Sequence, residues 1–446
     1  MEPDTARLKR AIIVPKTAML ALEGDGSFGT GGARFKAAQA IEPATQLAAS
    51  ALRMKSALGR LALDADGDQF AFARLTQGTA DGVVKSLNNI NAMMVISRDM
   101  EKLKDAASAI DSDFVVVDDF DLAMPSAGLR YTEFQKRHFR TTDAKADREM
   151  REASGTLQAH RSGIRGDNVA VGILDTGVDA DHVEFRGRRV LFRHIGYYPG
   201  AGEAPRIVRG FDTDGHGTHV AGILTGRKVG VAPGALLHCA SVIESETMRT
   251  SMVRTVYGLN WMLGHLKLDP AVPAVLNLSL GFPAVDNVDE KGHKTRLATI
   301  RYMIKNLIAN DILVVSAIGN EGPGTCGFPA AFDEVLAVGA VDAFGRTADF
   351  SGSCTTGGTK KPDIMGFGVN VLSAVERDVD GRSLYTRMSG TSMAAPYVAG
   401  IATLYRSAYP NEPVSAIIDM IRSTAIYLGK STQGAEAGLA AFQTNP

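Results

Sequence analysis

From residue 169 onward the chain carries short apolar runs at 169–174, 274–280, 312–318 and 335–341, rich in Val, Ile and Leu and without strict polar alternation. A strand with one solvated face alternates, so unbroken runs of this length predict parallel strands buried on both faces. Helical spacing and glycine turns fill the intervals. The pattern therefore predicts an α/β fold, a doubly wound and mostly parallel sheet, with functional groups gathered at the carboxyl ends of its strands. Upstream the pattern changes. Most of residues 1–80 has weak periodicity and no assignable element. Beyond it, Ala92–Ser97 predicts a strand, and Met100–Ile110 predicts a helix with Leu103, Ala106, Ala107 and Ile110 on one face. A second strand over 114–117 and a short piece over 119–124 complete a small α+β unit. The expected domains are 1–125, a linker over 126–155, a main domain over 156–430 and a tail over 431–446.

The polar stretch 130–152, with Lys136, Arg137, His138 and Arg140, reads as a solvated linker or surface helix, or as a processing site. At 446 residues the chain exceeds one ordinary domain, which agrees with a main body plus an accessory unit. A net charge of -1 argues against nucleic acid or anionic membrane as partner, and no apolar stretch reaches membrane-spanning length. The N-terminus lacks the apolar region of an export signal, since Ile12, Ile13 and Val14 are too few. Cys239, Cys326 and Cys354 are odd in number and have no metal-ligand spacing. Free thiols and a cytoplasmic, reducing location are the expectation.

Three motifs carry chemistry. Val-Ala-Val-Gly-Ile-Leu-Asp-Thr-Gly delivers Asp175 at the end of a buried strand, where a carboxylate could cap a helix, bind metal or orient a histidine. Asp-Gly-His-Gly-Thr-His-Val-Ala-Gly places His216 between two glycines at a helix start. His219 lies three residues on, a spacing two imidazoles could use on one metal, but no Glu or third His stands at metalloprotease spacing, so no metal is assigned. Ser-Gly-Thr-Ser-Met-Ala-Ala-Pro-Tyr-Val-Ala-Gly puts Ser392 at the opening of a helix with Val398, Ile401, Leu404 and Tyr405 as an inward stripe. A serine there is commonly an N-cap. Together with Asp175 and His216, in that order along the chain, it points to a nucleophile, base and orienter instead.

On these motifs the stretch from about residue 157 to 426 resembles the subtilisin-like (subtilase) serine peptidases. The resemblance implies a catalytic triad of Asp175, His216 and Ser392, with Asn320 as side-chain donor to the oxyanion. It also implies that Ser279, Leu280 and Gly281 pair with extended polypeptide substrate. Ala317, Ile318 and Gly319 would line the far side of the specificity pocket, with Gly327 and Phe328 near its back. Ile318 stands where the family has alanine, so a shallower pocket is expected, and Glu321 at the rim would favour a basic side chain. The segment 223–230 is too short for the family's calcium loop, and neither calcium nor any other cofactor is assigned. An inserted surface loop is expected over 284–296. The N-terminal unit is placed as an intramolecular inhibitor or chaperone, removed by processing between 125 and 155 or retained for regulation. A pseudoprotease that only binds peptides and a maturase with one substrate are the competing functions.

Overall fold

The computed structural model describes residues 8–16, 61–63, 82–110, 112, 114–123, 145–196, 209–243, 249–281, 290–356, 358–429 and 437–444. The N-terminal unit is a five-stranded sheet of β1 (Lys9–Pro15), β2 (Leu61–Leu63), β3 (Gly82–Leu87), β4 (Ala92–Ser97) and β5 (Phe114–Asp118), in the order β2-β3-β4-β1-β5. Strand β1 lies within the stretch whose weak periodicity gave no element. It is nonetheless central, antiparallel to both β4 and β5. Its alternation is hidden because both faces are buried. Ala11 and Ile13 pack under α1 (Met100–Ile110) with Val95, Leu103 and Ala107. Ile12 and Val14 point the other way and enter a core shared with the main body. A short β6 (Asp121–Ala123) follows.

The main body begins at α2 (Lys145–Ala153) and α3 (Thr156–Arg161). Residues 145–153, expected within a linker, are therefore helical, and Arg387 from the far end of the chain binds Asp147 at 3.0 Å. The elements that follow are β7 (Ala170–Asp175), β8 (Val190–His194), α4 (His216–Thr225), β9 (Leu236–Ser241), β10 (Arg249–Ser251), α5 (Met252–Leu266) and β11 (Ala274–Leu278). Next come α6 (Glu290–Ala309), β12 (Ile312–Ala317), β13 (Leu336–Val341), β14 (Cys354–Thr356), β15 (Thr359–Lys361) and β16 (Ile364–Phe367). The chain closes with β17 (Val371–Val375), β18 (Leu384–Met388), α7 (Thr391–Ala408) and α8 (Val414–Ser423). Of the surface loop expected over 284–296, residues 290–296 are the first turns of α6, and 284–289 lie outside the described residues.

Seven strands form the central sheet in the order β16-β13-β12-β11-β7-β9-β8, and the pairings are parallel. Successive side chains of β7 serve opposite cores: Val171 and Ile173 pack with α4 and α7, while Ala170 and Leu174 pack with α5. From β7 the chain builds β8 and β9 on one side, then returns to build β11, β12, β13 and β16 on the other. The carboxyl ends of β7, β11 and β12 thus border the crevice where the winding reverses, the place such sheets keep their ligands.

Helix α7 departs from an inward stripe, because Thr391 through Arg406 are all buried. Small residues let it sink against the sheet: a Cβ on Gly366 would lie 2.6 Å from the Ala394 carbonyl oxygen. Each fully buried Val, Ile or Leu on it contributes roughly 1.5–3 kcal/mol. The C-terminal residues 437–444, expected as part of a tail, also join the body. Leu439 bridges Met365 and Ile426, and Phe442 is buried.

Candidate active site

Two elements far apart in sequence bring Asp175 and His216 together. Asp175 ends β7, and His216 opens α4, whose N-cap Gly215 has φ 97°. The His216 Nδ1–H donates to Asp175 Oδ1 at 2.7 Å, and both side chains are fully buried. Gly217 follows because nothing larger fits, since a Cβ there would lie 2.1 Å from the Gly177 carbonyl oxygen. Burial alone would lower the pKa of His216. The charge and hydrogen bond of Asp175, then the charges of Asp214 and Asp212, outweigh it, and the net shift is upward. His219, one turn on, is pushed down to about 3 by burial and then by the charge of His216. It stays neutral, with Nε2 3.2 Å from the Thr386 carbonyl oxygen, and among the described residues no group of three or more His, Cys, Asp or Glu is placed to share a metal.

Ser392 stands in the first turn of α7, where N–H groups have no intrahelical acceptor. Its hydroxyl donates to the Ser279 carbonyl at 3.3 Å, and the Ser279 hydroxyl donates to the Ser392 carbonyl at 2.9 Å. Pro396 explains the second bond. The N–H it lacks is the one that would bind the carbonyl four residues back, that of Ser392, and Ser279 supplies the missing donor. Ser279 is in turn held by Asn277 Nδ2 at 2.9 Å.

Asn320 follows β12 and is buried. Its Oδ1 accepts from the Thr391 N–H at 2.8 Å and the Thr391 hydroxyl at 2.9 Å. That fixes the amide so that Nδ2, together with His216 Nε2, is a buried nitrogen with no hydrogen-bond partner. Glu321 folds back, with Oε2 accepting from the Asn320 N–H at 2.9 Å. The site thus presents a hydroxyl, an imidazole oriented by a carboxylate, and an unspent amide donor.

The bulk of Ile318 is absorbed in a small cluster with Ala330 and Ala337, against Cys326. The cysteines differ from expectation. Cys326 and Cys354 form a disulfide with Cα atoms 5.8 Å apart, and Cys239 alone is free and buried. The expectation of free thiols therefore holds for Cys239 alone. Beside the short segment 223–230, the buried Glu184 accepts from the Lys228 N–H at 2.7 Å and the Tyr385 hydroxyl at 2.6 Å. Asp212, Thr176 and Thr391, which orient the reactive groups, were not singled out from the sequence. An acid four residues before His216, just ahead of a helix, was the available signal for Asp212.

The fold and site match those of the subtilisin-like peptidases. The family described as "Subtilase family" matches residues 166–444, and the chain belongs to it. It is similar to the subtilisin-like protease PopC of Myxococcus xanthus, 49% identical over 304 residues, 67% of this chain and 64% of that one. It is also similar to subtilisin DY of Bacillus licheniformis, 34% identical over 278 residues, 60% of this chain and 88% of the relative. Subtilisin E of Bacillus subtilis is 31% identical over 282 residues, 61% of this chain and 64% of the relative. The matches thus span slightly less than two thirds of the length of PopC and of subtilisin E.

Proposed function

We propose that this chain is a serine endopeptidase that cuts extended polypeptide segments through an acyl-enzyme, with Asp175, His216 and Ser392 as triad. The observation that carries the proposal is the 2.7 Å Asp175–His216 bond beside two buried nitrogens, His216 Nε2 and Asn320 Nδ2, that have no partner. Ser392 Oγ attacks the substrate carbonyl carbon while its proton passes to His216 Nε2. Asp175 stabilises the imidazolium. The carbonyl oxygen becomes an oxyanion that accepts from Asn320 Nδ2 and from the Ser392 N–H. Collapse breaks the C–N bond, and the amine leaves with the proton from His216. Water, deprotonated by the same imidazole, then hydrolyses the ester. Bonds of this kind are commonly long before substrate binds, which accommodates the Ser392 hydroxyl resting on Ser279. Ser279, Leu280 and Gly281 on one side, and Ala317, Ile318 and Gly319 on the other, take the substrate backbone in this scheme.

The N-terminal domain acts in the same scheme as inhibitor of the groove. Three contacts support it. One face of its sheet shares a core with α5 and α6. Asp119, paired with Arg10 at 2.6 Å, accepts from the Val253 N–H at 2.9 Å and so caps α5. Strand β6 pairs antiparallel with β10, with Leu122 opposite Thr250. The Thr250 hydroxyl donates to the Val242 carbonyl, and the Val242 N–H donates to the carbonyl of Asp175 itself. An extended segment added to that edge, close to the triad, is the geometry by which a strand occupies a peptide-binding site. Processing falls between β6 and α2.

Mass spectrometry of wild type beside Ser392→Ala, with and without a fluorophosphonate probe, tests both parts. The expected result is a wild type trimmed between residues 124 and 145 and labelled at Ser392, with the mutant intact and unlabelled. An intact wild type that labels would overturn removal of the domain. One that never labels, even after limited proteolysis, would overturn the catalytic assignment.

A further inference from the structure

Asp175 and His216 are separated by 41 residues and carried by different elements, so something must hold the two carriers in register. Backbone pairing does this coarsely, since the Val178 N–H donates to the Phe211 carbonyl at 3.0 Å and the Ala180 N–H to the Gly210 carbonyl at 3.1 Å. One side chain then closes the frame. Asp212 Oδ1 accepts from the Thr176 hydroxyl at 2.8 Å and the Asp214 N–H at 3.1 Å. Its Oδ2 accepts from the Thr218 N–H at 2.7 Å and the Thr218 hydroxyl at 2.6 Å. A single carboxylate therefore takes four donors, three of them in the first turn of the helix that bears His216 or leading into it, and one from the residue next to Asp175. The Thr176 hydroxyl accepts in turn from the Gly217 N–H at 2.9 Å, and the Thr176 N–H donates to Asp175 Oδ1 at 2.8 Å. The ring closes on both partners of the charge pair.

We propose that Asp212 is a positioning residue for catalysis: it locks the carrier of His216 to the carrier of Asp175 through Thr176, and its charge favours the imidazolium formed during turnover. The proposal rests on the triad assignment above and deepens it. Asp212 touches neither substrate nor the reacting atoms. It acts through His216 and Asp175. A carboxylate at the amino end of α4 also complements the helix dipole, so a purely structural cap is the alternative to be told apart.

The charged and titratable groups around His216 come from several elements. Asp175 ends β7, Asp212 and Asp214 precede α4, and His219 lies one turn along it. Glu376, after β17, reaches across Gly215, where an added Cβ would meet its Oε2. Removing one negative charge from this set makes the imidazolium less favourable, so the acid limb of activity must move to lower pH.

The experiment compares Asp212→Asn and Thr176→Val with wild type and with Ser392→Ala, on a chromogenic peptide, with rates expressed per Ser392 labelled to completion by a fluorophosphonate. Asp212→Asn is expected to lose about 10²-fold in kcat with little change in KM, the scale of a misplacement of about 1 Å at the reacting groups. The acid limb of its kcat/KM profile moves to lower pH. Thr176→Val cuts the tie and keeps the charge, so its kcat falls while the acid limb stays in place. A cap without a catalytic role would lower the melting temperature and leave kcat per labelled site and the acid limb unchanged in both variants, which would overturn the proposal. Should Asp212→Asn fail to fold, Thr176→Val decides by the same criterion. Activity surviving in Ser392→Ala would instead refute the triad assignment, a result distinct from an inactive Ser392→Ala beside a fully active Asp212→Asn.

Discussion

The Asn320 side chain has two ends with separate duties, and substitution can divide them. Nδ2 has no partner, so its loss removes nothing from the resting structure and affects only the charge that develops on the substrate oxygen. Oδ1 accepts from both the N–H and the hydroxyl of Thr391, so its loss strands buried donors at the start of α7. Asn320→Ala loses both ends. The stranded donors cost about 1–3 kcal/mol of stability. The missing oxyanion donor costs about 2.7–4 kcal/mol of transition-state stabilisation, or 10²–10³ in kcat, the figure known for the corresponding donor in subtilisin. Asn320→Asp separates the two effects. It retains an oxygen for Thr391, and it turns a donor into an anion facing another developing anion. Its melting temperature should lie near that of wild type, and its kcat should fall at least as far as that of the alanine variant.

The assay is saturation kinetics on a chromogenic peptide, normalised by fluorophosphonate titration, beside thermal unfolding of each variant in a Ser392→Ala background to suppress autolysis. KM should change little, because the interaction exists only in the transition state. An Asn320→Ala enzyme with kcat within about threefold of wild type would refute the assignment, as would a loss confined to KM.

Two further predictions concern stability. The Cys326–Cys354 bond closes a separation of 28 residues, and reducing it with a dithiol or substituting Cys354→Ser should cost about 3–4 kcal/mol on the loop-entropy scale, read as a lower denaturant midpoint. Identical midpoints with and without reductant would refute the pairing. His219 and His238 are held neutral, pushed by burial to about 3 and about 4, whereas an unfolded histidine titrates near 6.5. Between those values the unfolded chain binds the extra protons, so their contribution is complete above about pH 6.5 and is lost as pH falls toward 4. Unfolding of Ser392→Ala followed from pH 7.5 to 4.5 should show a steeper loss than the same protein carrying His238→Gln, and equal slopes would refute a buried neutral His238.

Much of the candidate site was legible in the chain because it is written in contiguous stretches. A parallel strand buried on both faces is mostly apolar and lacks strict alternation, so β7, β11, β12 and β13 announce themselves. Asp175, His216 and Ser392 each sit in a local signature where small residues are sterically required. The Gly217 position, with no room for a Cβ against Gly177, is one such requirement. Helix α1 was legible too, since its single buried face leaves a helical period.

What escaped was what depends on distant partners. Strand β1 carries no alternation because α1 covers one face and the main body the other, and neither is near it in sequence. The disulfide could not be read from an odd count of three cysteines, because pairing is settled by which Cα atoms the fold brings within bonding distance. Pro396 looked like a tolerated helix-start proline, and only the packing of β11 against α7 shows Ser279 taking the carbonyl it leaves open. Asp212 carries no local signature of its own. Its importance arises from the closure of a 36-residue separation onto Thr176, a contact no local pattern records. The sequence by itself determined which groups could react, since side-chain chemistry and steric demands are local. The tertiary structure decided how they are aimed, since orientation is set by hydrogen bonds and packing between elements that meet only in the folded chain.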